Sequence, residues 1–385
     1  MFSLENEYLA VKFDKKGRLV CLSNKKGNMG NVIASVADGC FRIIFKKGND
    51  WENVVFGGEQ EFSVTEKENG LEFFVNKVSV KNVKFNISLK LAVSLEGEDL
   101  IFDAEIVNNE ADTLITDFDY PVIGTIKTLA GGKPALLWPK QCGQKYINIG
   151  DYLTRIAPSG KKVGDRISMT YPADGSMQWM VLEDKDQVLY FSCHDSDFYS
   201  TELRVTGSDS DPGAVTLTID KMPFIKCGEA WKAPSSVIKL YTGTWHHGVQ
   251  DYIDWSKNWR KTHYKPKWVK DMMGYYLVIN KQQYGKEMWK YDTLLQLYKL
   301  AVETGCDTLG LFGWYDSGHD NQYPELKASD SLGGEQALKE NIKKVQEEGG
   351  NVTLYFQGHL IDVTTSYYKN FGCNYEAKNR WGVPY

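Results

Sequence analysis

Gly310–Asp330 reads GLFGWYDSGHDNQYPELKASD, and the chain is best read outward from it. The residues Thr308-Leu309-Gly310-Leu311-Phe312 form a short apolar run of the kind that makes a buried parallel strand. Directly behind it come Trp314, Tyr315, Asp316, His319, Asp320, Asn321 and Tyr323. Polar and aromatic residues at the carboxyl end of a parallel strand stand where ligands bind in α/β folds, because the strand-to-helix loops gather there. The mixture points to sugar. Aromatic faces stack on the C–H side of a pyranose, and Asp and Asn pair with its hydroxyls.

Similar units flank this one. Tyr275–Ile279 reads as a strand and leads into Lys281, Gln282 and Gln283, with a helix over Asp292 to Glu303. After the central motif a helix is expected from Glu335 to Glu348, with Leu338, Ile342 and Val345 on one face. Asn351–Phe356 is the third strand, followed by Gln357, His359 and Asp362. Strands alternating with helices predict a parallel sheet with right-handed crossovers. From residue 271 to the end are 115 residues, enough for three such units. A full (β/α)₈ barrel takes roughly 250 residues, so the reading is the first part of a barrel, cut after its third strand, in a fragment of a longer chain.

Residues 1–244 read differently. Short apolar strands are separated by Lys-Lys-Gly turns at 15–17, 25–27 and 46–48. Val83, Phe85, Ile87, Leu89, Leu91, Val93 and Leu95 alternate at period two, and Leu100, Phe102, Ala104 and Ile106 continue after the Glu96–Asp99 turn. One buried and one wet face predict an antiparallel sandwich without a ten-residue amphipathic helix. Trp138 and Trp179 read as core fillers, with a place on the lip of a site as the alternative. Residues 245–270 read as a connecting helix ended by Lys265-Pro266-Lys267. The organisation is thus 1–244, 245–270 and 271–385.

The 385 residues are 42% hydrophobic and 25% charged, as in a globular protein, and 13% aromatic. A net charge of −5 without a basic run argues against a nucleic-acid partner. No stretch is long and apolar enough to span a membrane, and the N-terminus lacks the pattern of a secretory signal. Seven scattered cysteines without a CxxC read as reduced thiols in a cytoplasmic protein. The six histidines show no metal-ligand spacing, and no nucleotide loop or nucleophile elbow occurs, so neither a metal nor a cofactor is expected. Ser208–Gly213 reads as a solvated turn rather than a calcium loop.

Lys281–Gly285, Phe312–Pro324 and Leu332–Glu335 together resemble a group of bacterial glycoside-hydrolase-like proteins. These join a β-supersandwich similar to galactose mutarotase to a (β/α)₈ TIM barrel, with distant similarity to endo-α-N-acetylgalactosaminidases and the α-galactosidase clan. The resemblance implies retaining hydrolysis of an α-linked galactose-type sugar. The nucleophile and the acid it implies fall beyond Tyr385, so no catalytic residue is assigned here. It carries over substrate contacts: Trp314 as stacking platform, Asp316 and Asp320 as hydroxyl acceptors, and Gln283 and Gln357 as candidates; the loops themselves add Tyr315, His319 and Lys281. A non-catalytic carbohydrate-binding protein is the alternative. A mutarotase-like isomerase using His194 and Asp195 is a third.

Overall fold

The computed structural model describes residues 1–48, 52–154, 164–261, 263–378 and 383–384. The chain divides into two compact units, Met1–Lys261 and Thr262–Tyr385.

The first unit is built of antiparallel sheets packed face to face. One sheet contains the strands Gly70–Val75, Ile87–Glu96, Asp99–Asn108, Ser235–Thr242, Gln187–His194 and Trp179–Asp184. The facing sheet is built on the long Thr113–Ile126 strand, with Arg42–Lys47 on one side and Val215–Lys221, Thr201–Gly207 and Arg166–Tyr171 on the other. The expected alternation holds where the hairpin forms: Leu89, Leu91, Val93 and Leu95 pair with Ile106, Ala104, Phe102 and Leu100, and all eight are buried. It fails at the N-terminal end of the pattern. The long strand starts at Ile87, while Val83–Lys84 pairs instead with Ser79–Val80 and leaves Val83 exposed. Among the described residues before the connecting segment, the single α-helix is the six-residue Ile149–Thr154. Trp138 and Trp179 are both buried.

The connecting helix is shorter than the sequence pattern, running His246–Lys257. Pro266 does not end it. It stands at the N-cap of a separate short helix, Lys267–Asp271, where a missing N–H costs nothing. The longer helix presents Val249 and Tyr252 to Trp179, Val181, Val188, Tyr190 and Tyr241, which form a small apolar cluster of their own. Lys239 secures one side of it, with its Nζ 2.6 Å from Asp251 on the helix and 2.9 Å from Asp99.

The facing sheet carries a nearly dry charge network on one side. Arg204 reaches Glu202 at 2.7 Å, Asp220 at 2.7 Å and Asp119 at 3.2 Å, and Arg42 adds a 2.7 Å contact to Asp119. One guanidinium therefore ties three strands together. Burial, with Asp119 nearby, pushes the Asp220 carboxyl well above the usual carboxylate range.

The second unit holds three parallel strands, Tyr276–Ile279, Thr308–Phe312 and Asn351–Leu354, in that spatial order. Ile279 pairs with Phe312, and Leu311 with Leu354, so all three strands end nearly level. The helices Leu294–Glu303 and Gly334–Glu347 bury Leu294, Leu297, Ala301, Leu338 and Val345 in a core shared with Val278, Leu309 and Leu311. The sheet residues that face the other way stay open, with Tyr275 45% and Leu277 51% exposed. Among the described residues no helix is long and apolar enough to cross a membrane.

Truncating Arg204 would strand Asp220 and Glu202 without their counter-charge and leave Asp119 to Arg42 alone. Arg204→Ala is expected to cost about 3–5 kcal/mol. Asp220→Asn keeps the shape and removes a disfavoured charge, so it should be close to neutral. Urea denaturation of both variants checks this, and equal losses in the two would refute it.

Candidate functional site

The level ends of the parallel strands bring three loops to one edge. Their backbones interlock before any side chain is considered. Lys281 donates its N–H to Gly313 O at 3.1 Å, and His319 donates to Lys281 O at 3.0 Å. This close approach accounts for two glycines. A Cβ at Gly313, where φ is +56°, would fall 2.1 Å from Lys281 O, and one at Gly318, where φ is +80°, would fall 2.3 Å from Gln282 O. The third loop joins through Asp362, whose Oδ2 accepts the Gln322 N–H at 2.9 Å while its own N–H donates to Tyr323 O at 3.0 Å. The N–H groups of Thr364 and Gln322, with the Thr364 hydroxyl, hold the Asp362 carboxyl below its ordinary pKa.

Asp320 is the centre of the side-chain network. It sits at φ +58°, a backbone state that Asp tolerates better than most residues. Oδ1 accepts the Tyr323 hydroxyl at 3.1 Å, and Oδ2 accepts Gln283 Nε2 at 3.3 Å. His319 Nε2 lies 3.3 Å from the same Oδ2. The Asp320 N–H donates to Tyr315 Oη at 3.0 Å, and the Tyr315 hydroxyl donates to Tyr323 at 2.6 Å, which closes a ring. Burial raises the pKa of both tyrosines, so they stay neutral donors. The His319 imidazole packs against Phe312 and Tyr355, each with a centroid 5.5 Å away, and its Nδ1 is buried without a hydrogen-bond partner.

The structure thus gathers Lys281, Gln283, His319 and Asp320 in one cluster. Gln357 adjoins it through Tyr355, donating to that hydroxyl at 3.3 Å. Asp316 is exposed and stands apart, with Oδ1 accepting from Ser329 Oγ at 3.0 Å. Tyr315 is fully buried and Trp314 is 7% exposed; Trp314 donates its indole N–H to Tyr355 O at 3.1 Å and accepts the Tyr291 hydroxyl on its carbonyl. Both belong to the unit's apolar core. Sequence reasoning placed Tyr323 in the motif without giving it a role, and missed Tyr355 and Asn280 as parts of the cluster. Asn280 follows the first strand, is fully buried, donates to Trp289 O at 3.0 Å and leaves its Oδ1 unpartnered. A polar residue directly behind a strand was the available signal. Among the described residues no group of three or more His, Cys, Asp or Glu side chains could hold a metal.

His194 and Asp195 in the first unit do not form an open acid–base pair. Asp195 is buried, and its backbone is clamped by Gln178, which accepts the Asp195 N–H at 3.0 Å and donates to its carbonyl at 2.9 Å. The His194 ring lies parallel to Trp255, with centroids 4.5 Å apart and its Nε2 buried without a partner. Desolvation, with Lys239 nearby, brings its pKa down to about 4.

Comparisons with known proteins place this geometry. Residues 232–384, under half of the chain, match a family described as a domain of unknown function, DUF6259. No curated protein matches. Among solved structures the chain is similar to the α-N-acetylgalactosaminidase NagBb from Bifidobacterium bifidum. The ligand-free form aligns at TM-score 0.68 and 13% identity over 100% of this chain and 63% of that one. Its complex with Gal-NHAc-DNJ aligns at TM-score 0.66 and 14% identity over 94% and 60%. The galactosidase domain of an α-galactosidase–sucrose kinase, AgaSK, aligns at TM-score 0.51 and 12% identity over 97% and 58%. The chain spans about three fifths of the length of these structures, and what it shares with them is the glycoside-hydrolase-like fold.

Two outcomes follow from the geometry. Gly313→Ala should destabilise the second unit by more than the roughly 1–2 kcal/mol of a left-handed residue alone, because Lys281 must also move; a thermal midpoint equal to the parent's would refute it. His194 is held neutral in the folded state, so its contribution is complete above its unfolded pKa near 6.5 and is lost as pH falls toward about 4. Denaturation midpoints between pH 7 and pH 4 should fall less steeply in His194→Phe than in the parent.

Proposed function

We propose that the three-stranded unit is the first part of a (β/α)₈ barrel whose loop layer binds a carbohydrate, and that the whole protein hydrolyses an α-linked galactose-type glycoside. The observation that carries the reading is the Asp320 cluster. A carboxylate, an imidazole and a primary amide from two loops converge at the carboxyl edge of a parallel sheet, with Lys281 tied to the same loops through its backbone, where such barrels bind ligands. Amides and carboxylates in a fixed array suit vicinal hydroxyls, and the half-buried Phe312 and Tyr355 rings, stacked at 4.3 Å, supply an apolar floor. The fold likeness to NagBb supports the same assignment. In this reading Gln283, His319, Lys281 and Gln357 touch the sugar, Asp320 orients them, and Asp316 meets a hydroxyl at the margin. Trp314 supports the site from behind, its ring being packed away. The soluble setting is cytoplasmic.

The two carboxyl groups of a retaining hydrolase stand about 5–5.5 Å apart and must be free to act as nucleophile and acid. In the three loops Asp316 is tied to Ser329, Asp320 to three donors, and Asp362 to Thr364 and Gln322. The reacting pair is therefore assigned to barrel strands beyond these three. The same observation favours a second reading, binding without hydrolysis. Both are tested on the full-length natural product with aryl α-galactoside and aryl α-N-acetylgalactosaminide. Asp320→Asn should lower kcat/KM about tenfold or more by releasing His319 and Gln283 from their geometry, and Asp316→Asn should weaken binding. Unchanged kcat/KM in Asp320→Asn would overturn the site. Saturable glycan binding without product release would decide for the second reading.

A further inference from the structure

The first unit has a small cleft of its own, about 190 Å³, lined by Tyr8, Asn24, Lys26, Glu98, Tyr241 and Thr242. Its floor is unusual. Asn24 is 4% exposed, and its Oδ1 is committed to the Gly27 N–H at 2.9 Å, while its backbone pairs both ways with Met29. Asn24 lines the cleft, and its Nδ2, which the bond to Gly27 leaves uncommitted, is open to a group bound there. Gly27 keeps the way open. A Cβ there would fall 2.5 Å from Asn24 Nδ2 and 2.5 Å from Thr242 Oγ1, and its φ lies outside the left-handed region, so glycine is required here for space and not for conformation. Around this donor stand the Lys26 ammonium, 4.7 Å over the Tyr8 ring, and the Glu98 carboxylate, whose Oε2 is 2.8 Å from His247 Nε2.

We infer that this cleft is a second saccharide site, taking one ring of a neutral sugar. The volume falls below the roughly 300 Å³ at which pockets begin to hold drug-sized ligands, which restricts it to a single ring. Donors and an acceptor are both present, as a polyol needs, and two tyrosines wall it. Beyond Tyr8 lies a second depression of about 510 Å³ that carries Glu5, Glu7 and Glu68. That acidic approach repels uronic and sialic acids and leaves neutral glycans, whose further residues it can accommodate. All residues of the cleft belong to the first unit.

The test is saturation-transfer NMR on the whole chain with galactose, glucose, N-acetylgalactosamine, lactose and maltotriose, and with N-acetylneuraminic acid and glutamate as controls. At least one neutral sugar should bind, and its affinity should drop tenfold or more in Asn24→Asp, which retains the bond to Gly27 but turns the free donor into an acceptor. Gly27→Ala and Tyr8→Ala should act likewise, each measured on protein whose thermal transition shows it folded. Asp320→Asn should leave this component untouched, which separates it from any sugar bound in the second unit. The inference is overturned if no neutral sugar binds, if binding is the same in Asn24→Asp and Tyr8→Ala, or if glutamate or neuraminic acid binds with the same dependence.

Discussion

Parallel strands hydrogen-bonded in register must end together, and in the second unit that constraint places everything else. With Ile279 opposite Phe312 and Leu311 opposite Leu354, the residues after each strand have one edge to occupy. Three loops crowd there, and the crowding sets the chemistry. Gly313 and Gly318 are glycine because another loop's carbonyl lies where their Cβ would be. Without that interlock, Lys281 and His319 would have no fixed relation.

On this frame the Asp320 carboxylate does what backbone hydrogen bonds cannot. It draws donors from two loops and a tyrosine pair into one array, each bond fixing the next. Its own lone pairs are largely consumed in doing so. The groups left uncommitted are therefore its neighbours, a division between orienting and oriented residues that side-chain type does not reveal. Trp314 illustrates the same point from the opposite direction: its indole N–H is spent on Tyr355 O and its ring on the core.

The first unit is governed by the dry interface of its two sheets, but its distinctive features lie on the outer faces. Arg204 joins three strands through three carboxylates, and Lys239 pins a helix through Asp251. Such groups are costly to bury singly and tolerable only as networks. His194 under Trp255 is an exception to that economy, closed off by a helix, while the Asn24 amide opens on a cleft.

The sequence by itself determined what periodicity controls. Alternation from Ile87 to Ile106 set the hairpin and its buried face, and helical spacing at Leu294, Leu297 and Ala301 set the face turned to the sheet. These are local, because a side chain's direction follows from its own strand or helix. The polar loop behind Phe312 was likewise legible as a place where polar side chains gather. Roles within it were not. Whether Trp314 offers a face, whether Asp320 is free or spent, and that Tyr355, Tyr323 and Asn280 join the site depend on contacts up to 41 residues apart in the chain. The misplaced strand start at Val83 has the same origin, since its pairing with Val80 overrides local pattern. Period fixes which way a residue points; only tertiary structure fixes what it meets.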